Sequence, residues 1–362
     1  MLLVRRSKRD LGKGDKLMRL LILGGTQFLG RLLVDAALAQ GHEVTLFNRG
    51  VTNSGLFPEV EKLRGDRDGN LDALRGHRWD AVIDTSGYVP RIVRESAELL
   101  RSWADHYTFV SSISVYADFT TMGLCETDPV EKLEDAQNED VAAHYGSLKA
   151  QCEKEVHERF GEKGLIVRPG LIIGPYDPTG RFSYWIQRFA EGGKVLVPGR
   201  KNYPIQFIDG RDLAQWMITM AEKRLKGVFN ATGPENGLTM GDFVQTMERI
   251  IPNSGKAIWV SEKFLLGQNV REFEELPLWI SDKANWPGFM TINAERAVNH
   301  GLSFRPLEET ILDTLHWEQT RQDHSGYSRQ HNSDNGIGLS IEREKQLLNE
   351  WRGYLESDEL FS

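Results

Sequence analysis

Tyr145 and Lys149 stand four residues apart in the run Tyr145-Gly-Ser-Leu-Lys149, a spacing that puts both side chains on one face of a helix, about a turn from each other. A tyrosine titrates near ~10 in water, too high for a base at neutral pH. A neighbouring ammonium favours the phenolate and lowers that value, and burial opposes the shift. Any surface helix can contain Tyr-x-x-x-Lys, so the pair gains meaning from what else the chain supplies. Ser111, Ser112 and Ser114 follow the apolar run Tyr107 to Val110, which places a hydroxyl cluster at the carboxyl end of a candidate strand. Arg19 to Gly30 reads RLLILGGTQFLG. Leu20 to Leu23 form the continuous apolar run of a buried parallel strand, Gly24 and Gly25 permit a tight turn, and Gly30 lets the next helix pack close. That helix would aim its free N–H groups and positive dipole end at a phosphate.

These residues need a scaffold that brings them together. Strand-like and helix-like segments alternate up to about Arg168, with strands expected near 19–23, 43–47, 60–65, 79–84, 106–111 and 164–168. This rhythm of βαβ units predicts an α/β fold with a doubly wound parallel sheet of the Rossmann type. Such sheets hold ligands in the crevice outside the carboxyl ends of their strands, where the glycine turn, the serines and the Tyr-Lys helix would meet. Between Val115 and Ala142 a polar segment with Glu126, Asp128, Glu131, Glu134 and Asp135 interrupts the alternation and is expected as a loop over the site.

Glycine turn, serine cluster and Tyr-Lys pair, in this order, resemble the short-chain dehydrogenase/reductase superfamily. More narrowly, they resemble its extended branch, the NAD(P)-dependent epimerase/dehydratase group, and within it the members with a GGT-[RQ]-F-[LI]-G turn. Val82 to Gly87 occupies the place of the fourth-strand loop, Arg168-Pro169-Gly170 and Gly174-Pro175 look like the segment near the nicotinamide, and Phe207 to Asp212 looks like the FxDxRD element. The likeness runs from about Met18 to Glu318. It implies Tyr145 as acid/base, Lys149 as its partner and Ser112 as the hydroxyl that orients the substrate, with Ser111 and Ser114 as the other candidates. It implies a cofactor seated on Gly24, Gly25, Thr26, Gln27, Phe28, Leu29 and Gly30, and flanked by Asn48, Arg49, Asp66, Arg67, Thr85, Ser86, Gly87, Ser111, Lys149, Pro169 and Gly170. Two positions depart from the pattern. Gln27 replaces the middle glycine of the turn. Asn48, followed by Arg49, replaces the acid that bonds the ribose 2′-hydroxyl, which favours NADP over NAD because a guanidinium binds a 2′-phosphate through charge-assisted hydrogen bonds.

By the same resemblance, 18–174 form the cofactor domain, with later segments such as 205–231 returning to it, and 175–320 form mainly a smaller, discontinuous substrate lobe. Within that lobe Asp177 to Trp185 place a Pro-Gly loop just beyond the cofactor. Arg181 is expected to bind an anionic or hydroxyl-rich substrate and Tyr184 or Trp185 to pack on it, with Ser114 also facing the substrate; the competing reading puts the aromatics in the core. Residues 321–338 read as a linker, and Ser340 caps a final helix over 339–362 whose Ile341, Leu347, Leu348 and Trp351 form an apolar stripe. Met18 is expected as the natural start and 1–17 as an extension.

The expected chemistry is hydride transfer between a nicotinamide and a carbinol or carbonyl carbon, by default in the epimerisation or dehydration of a nucleotide sugar or related sugar. One rival is an NADPH-dependent reductase of a non-sugar carbonyl. The other is an RNA-binding protein, since the GGT-[RQ]-F-[LI]-G group also resembles chloroplast stem-loop RNA-binding proteins. A formal net charge of -8 over 362 residues speaks against nucleic acid. Two cysteines, Cys125 and Cys152, suit a reduced, cytoplasmic setting, and the histidines show no metal-ligand spacing. No apolar run approaches the roughly eighteen residues of a membrane span. A small-molecule substrate and a homodimer paired through the Tyr-Lys helix are expected.

Overall fold

The computed structural model describes residues 17–325 and 337–361. Six strands lie where the apolar runs predict them: β1 (Arg19–Leu23), β2 (Glu43–Asn48), β3 (Glu61–Arg64), β4 (Ala81–Asp84), β5 (Tyr107–Val110) and β6 (Gly164–Pro169). The chain then forms β7 (Leu171–Ile173), β8 (Lys194–Pro198) and β9 (Phe207–Asp209) before β10 (Gly227–Ala231) returns to the sheet beside β6. The result is a seven-stranded sheet in the order β10-β6-β5-β4-β1-β2-β3, every neighbouring pair parallel.

Both faces of this sheet are covered, which is why its strands read as unbroken apolar runs. Leu20 and Ile22 of β1 join one core and Leu21 and Leu23 another. The helices follow in chain order as α1 (Phe28–Ala39), α2 (Pro90–Leu100), α3 (Val141–Phe160), α4 (Arg181–Ala190) and α5 (Gly210–Glu222). α1 and α5 pack on the first face, α2 and α3 on the second. Leu20 pairs with Val44 on one side and Ala81 on the other, so strand order reverses at β1 and a crevice opens outside the carboxyl ends of β1 and β4. The α/β doubly wound fold expected from the sequence is borne out.

A third core lies among the smaller elements: β8 paired with β11 (Lys256–Val260), β7 paired with β9, α4, α6 (Met240–Ile250), α7 (Glu262–Gly267) and α9 (Leu307–Ser325). α8 (Glu295–Asn299) packs beside β10. The final helix, α10 (Ile341–Phe361), closes this core: the Arg343 N–H donates to Ser340 Oγ at its start, Leu347 is fully buried, and Trp351 packs on Phe264.

The first five residues of the expected linker, 321–325, are helical. α9 continues through Thr320 to Ser325, because Glu318 is buried and bonded by Arg321 at 2.5 Å, and the Arg321 guanidinium lies over Trp317 at 4.4 Å. Such pairs three and four apart extend a helix through residues of weak propensity. Residues 326–336 of that segment, and 1–16 of the expected extension, lie outside the described residues.

Candidate active site

A cleft of about 640 Å³ occupies the crevice at the carboxyl ends of the strands. The turn Gly24 to Gly30 forms its floor. Gly24 and Gly25 have φ of +111° and +90°, and a Cβ on either would stand 2.6 Å from Thr85 Oγ1 or 2.5 Å from Leu46 Cδ2, so neither position accepts a side chain. Gln27 is tolerated because its backbone is extended (φ -139°, ψ 139°); its side chain is exposed and does not cap α1. No acidic residue stands in the first turn of α1. The cradle therefore keeps uncapped N–H groups and no opposing charge, which fits the pyrophosphate of a dinucleotide.

Side chains from distant loops fix this turn. Asn48 Nδ2 donates to the Gly24 carbonyl at 3.0 Å, Asn53 Nδ2 to that of Thr26 at 2.9 Å, and Thr85 Oγ1 to that of Leu23 at 2.9 Å. Asn48 Oδ1 accepts from the Gly50 N–H and from Arg64, which brings the exposed guanidinium of Arg64 to the end of β2, where exposed Arg49 follows. Asp66 and Arg67 also line the cleft, but Arg67 is committed to the buried Asp84 carboxylate through two bonds of 2.6 and 2.8 Å. Ser86, Pro169 and Gly170 complete the wall.

At the inner end lie Ser112, Tyr145 and Lys149. Ser112 caps the turn Ile113–Val115, accepting from the Ser114 N–H at 3.1 Å, and its hydroxyl donates to Ser114 Oγ at 3.1 Å. α3 can approach this turn because Gly146 has no side chain: a Cβ there would fall 2.2 Å from the Ser114 carbonyl oxygen. Lys149 is almost completely buried, and its Nζ donates to the carbonyls of Gly87 and Val110 at 2.8 and 2.6 Å. Burial depresses its pKa to about 8. The expected depression of Tyr145 is not what the surroundings produce. Burial raises its pKa, the nearby Tyr88 adds to this, and the Ser112 hydroxyl only partly opposes them. The phenol is therefore protonated at neutral pH.

Ser111 also reaches the cleft, but its Oγ donates to Glu153 Oε1 at 2.5 Å, and Glu153 is held by Arg168 at 2.7 Å in a buried network. Gly87, Ser114, Arg181 and Tyr184 are not brought into the cleft wall. Gly87 supplies its carbonyl to Lys149, and Ser114 Oγ accepts from Ser112 Oγ at 3.1 Å. Tyr184 is the clear correction: it is fully buried in the third core, against Trp185 and beneath Gly338, because α4 is enclosed by elements on every side. Arg181 lies beyond Pro178, which does line the cleft. The Phe207 to Asp212 element is structural here, Asp209 capping α5 and Asp212 bonding Arg305 at 2.8 Å.

Several cleft residues were not among the expected site residues, Val51, Thr52, Tyr88 and Ile92 among them. Tyr88 lines the wall with its ring 5.1 Å from Lys149 Nζ and 6.4 Å from the Tyr145 ring, and it directly follows Thr85-Ser86-Gly87, a signal available in the sequence. Pro178 lies in the loop that the sequence places just beyond the cofactor, and it does line the cleft.

Residues 20–231 match the model of the NAD dependent epimerase/dehydratase family. The chain is similar to the chloroplast stem-loop binding protein of 41 kDa b of Arabidopsis thaliana, 24% identical over 274 residues that cover 71% of this chain and 67% of that protein. It is similar to epimerase family protein SDR39U1 of Bos taurus, 25% identical over 255 residues, 64% of this chain and 79% of that protein. Among solved structures, UDP-glucuronic acid 4-epimerase from Bacillus cereus in complex with NAD shares the fold with a TM-score of 0.60 and 15% identity, covering 84% of this chain and 99% of that one. Human SDR39U1 isoform 2 with NADPH does so with a TM-score of 0.55 and 18% identity, covering 83% and 99%.

Proposed function

Because this chain belongs to the NAD dependent epimerase/dehydratase family, we propose that it is an NADP(H)-dependent oxidoreductase that reduces a carbonyl carbon to a carbinol. The observation that carries this reading is the grouping of Tyr145 and Ser112 with buried Lys149 at the inner end of the glycine-floored cleft. The nicotinamide, when bound, supplies the hydride. Tyr145 supplies the proton: its raised pKa keeps the phenol protonated until a carbonyl oxygen gains charge and takes that proton. Ser112 fixes the oxygen within reach of Tyr145. Lys149, held by two carbonyls, keeps a positive charge behind the phenol as it loses its proton. Ser111 is spent on Glu153, which leaves Ser112 as the substrate hydroxyl.

NADP is the proposed cofactor because Asn48 and Arg49, not a carboxylate, stand at the end of β2, Arg49 lines the cleft, and Arg64 is bonded to Asn48. Guanidinium groups there favour a 2′-phosphate. A second reading, epimerisation or dehydration of a nucleotide sugar with cofactor retained, is favoured by the family itself.

The test is to identify by mass spectrometry any nucleotide released on denaturation after desalting, then to titrate NADPH and NADH. The proposal expects empty protein that binds NADPH about tenfold or more tightly than NADH, the value of one or two charge-assisted hydrogen bonds. Retained NAD(H) would establish the second reading. Failure to bind either, with salt-sensitive binding of a stem-loop RNA that Tyr145→Phe leaves intact, would show a function like the name of the Arabidopsis relative.

A further inference from the structure

Arg67, Arg168 and Arg188 are all largely buried, and each has a carboxylate oxygen within 2.7 Å. Lys149 is buried more deeply, yet among the described residues no carboxylate lies within ion-pair distance of its Nζ. The acids that act on it through space are committed elsewhere. Asp84 is bonded by Arg67 and by the Tyr107 hydroxyl, and Glu153 by Arg168 and Ser111. Cys152, three residues along α3, brings no charge, because burial pushes its thiol up to about 12, and Arg67 brings a charge of the same sign.

Two carbonyls and two rings surround the ammonium instead. The Gly87 and Val110 carbonyls accept from Nζ at 2.8 and 2.6 Å, and the Tyr88 and Phe109 rings lie beneath it with centroids at 5.1 and 4.5 Å. Each ring adjoins one of the carbonyls in sequence. Phe109 is fully buried within β5, whereas Tyr88 lines the cleft and is 45% exposed. The backbone on either side of Tyr88 is fixed. A Cβ on Gly87 would stand 2.5 Å from Phe109 Cε2 and 2.7 Å from Val93 Cγ2, and Val89 is held extended before Pro90, the first residue of α2. The Tyr88 hydroxyl donates to no group among the described residues, so what this side chain gives the fold is its ring. Burial and the Asp84 charge raise the Tyr88 pKa, so that ring is neutral while Lys149 titrates. An aromatic face within about 6 Å of an ammonium stabilises its charge, most strongly for tryptophan and where water is excluded.

We propose that Tyr88 is a positioning residue, whose ring holds Lys149 and its positive charge at the inner end of the cleft as a carboxylate holds the other buried cations of this chain. The use of that charge behind Tyr145 rests on the reductase reading. The contact between Tyr88 and Lys149 does not.

The experiment follows the Nζ resonance of Lys149 by NMR across neutral and alkaline pH, in cofactor-free full-length protein grown on isotope-labelled lysine, and assigns it by its loss in Lys149→Met. Tyr88→Phe keeps the ring and is expected to leave the midpoint, about 8 in the unaltered protein, where it is. Tyr88→Leu keeps an apolar cover without a π face and is expected to lower the midpoint by about half a unit to one unit, and Tyr88→Trp to hold or raise it. Packing alone would not follow the strength of the ring in this way. A midpoint that Tyr88→Leu leaves unmoved or raises, or that Tyr88→Phe lowers as far as Tyr88→Leu does, would overturn the proposal. Thermal midpoints read on the same samples confirm that each variant is folded over the range titrated. Neither NADPH nor a substrate enters the measurement, so unaltered protein that binds no NADPH speaks against the reductase reading, and the titration alone decides the role of Tyr88.

Discussion

Lys149 Nζ donates to the Val110 carbonyl oxygen at 2.6 Å, so the ammonium is bonded to the end of β5 from inside the fold instead of standing in the open cleft. Its charge is expensive there, which is why burial lowers its pKa to about 8 from an unfolded value near 10.5. Below pH 8 both the folded and the unfolded chain carry the proton and the penalty is present in full. Between pH 8 and 10.5 the unfolded chain binds more protons than the folded one, so stability rises with pH. Relative to Lys149→Met, the unaltered protein should therefore gain roughly 1–3 kcal/mol of unfolding free energy across that window. Urea unfolding of both proteins at pH 7.5 and pH 10 measures it, and using the variant as reference cancels the tyrosines that titrate in the same range. A constant difference would mean that Lys149 is charged and well solvated.

Gly146 is the second pressure point. A methyl group there would collide with the Ser114 carbonyl oxygen at 2.2 Å and approach Glu131 Oε2 at 2.9 Å, and the first of these is backbone that cannot swing away. Gly146→Ala should drive α3 from the serine turn, part Tyr145 from Ser112, and cost about 1–3 kcal/mol of stability as overpacking does. NADPH affinity, set at the glycine turn, should fall much less than turnover. Equal losses in both would show that the insertion deforms the whole cleft.

Much of this was legible because local pattern and tertiary role coincide. Leu20 to Leu23 read as a doubly buried strand, and alternate residues do enter opposite cores. Gly24 and Gly25 read as a turn, and both have the positive φ that makes glycine necessary. What stayed hidden depends on contacts across the chain. Ser111 and Ser112 are chemically identical in sequence, and only the fold spends one on Glu153 and leaves the other in the cleft with Tyr145. Tyr184 and Phe273 are both aromatic residues of the smaller lobe, yet one is sealed beneath Gly338 and the other lies under Arg181, because α4 is enclosed and the Phe273 loop is not. Arg64, sixteen residues from Asn48, meets it only because β2 and β3 pair in parallel.

That last contact makes a prediction of its own. Arg64 is bonded to Asn48 and packs over Gly50, where a Cβ would lie 2.8 Å from its Nη1. On the proposed preference for NADP, Arg64→Met should weaken NADPH binding about tenfold, the value of one charge-assisted hydrogen bond, and leave NADH binding nearly unchanged. Arg49→Met should act in the same direction, and the double variant should bind the two cofactors alike. Fluorescence titration of each protein with both nucleotides decides it. Parallel losses for NADPH and NADH would assign Arg64 to the architecture of the turn.

One buried carboxylate ties the C-terminal helix to two other elements. Glu344 accepts from Arg188 Nε at 2.6 Å and from the Leu196 N–H at 2.9 Å, and Arg188 also donates to the Gly192 carbonyl at 2.8 Å, so α10, α4 and β8 meet at a single buried ion pair. Glu344→Ala would leave Arg188 with only the more distant and more exposed Glu191 carboxylate at 3.9 Å and the Leu196 amide unpaired, and should cost roughly 3 kcal/mol, the low end of the range for breaking a buried pair from one side. Glu344→Gln keeps an acceptor for Leu196 and should cost less. Replacing Arg188 by Met together with Glu344 by Leu removes both charges and should recover most of the loss, since the desolvation penalty disappears with the attraction. Urea midpoints of the four proteins test this order. If the double variant proved no more stable than Glu344→Ala, the role of Glu344 would lie in its bond to β8 and not in the ion pair.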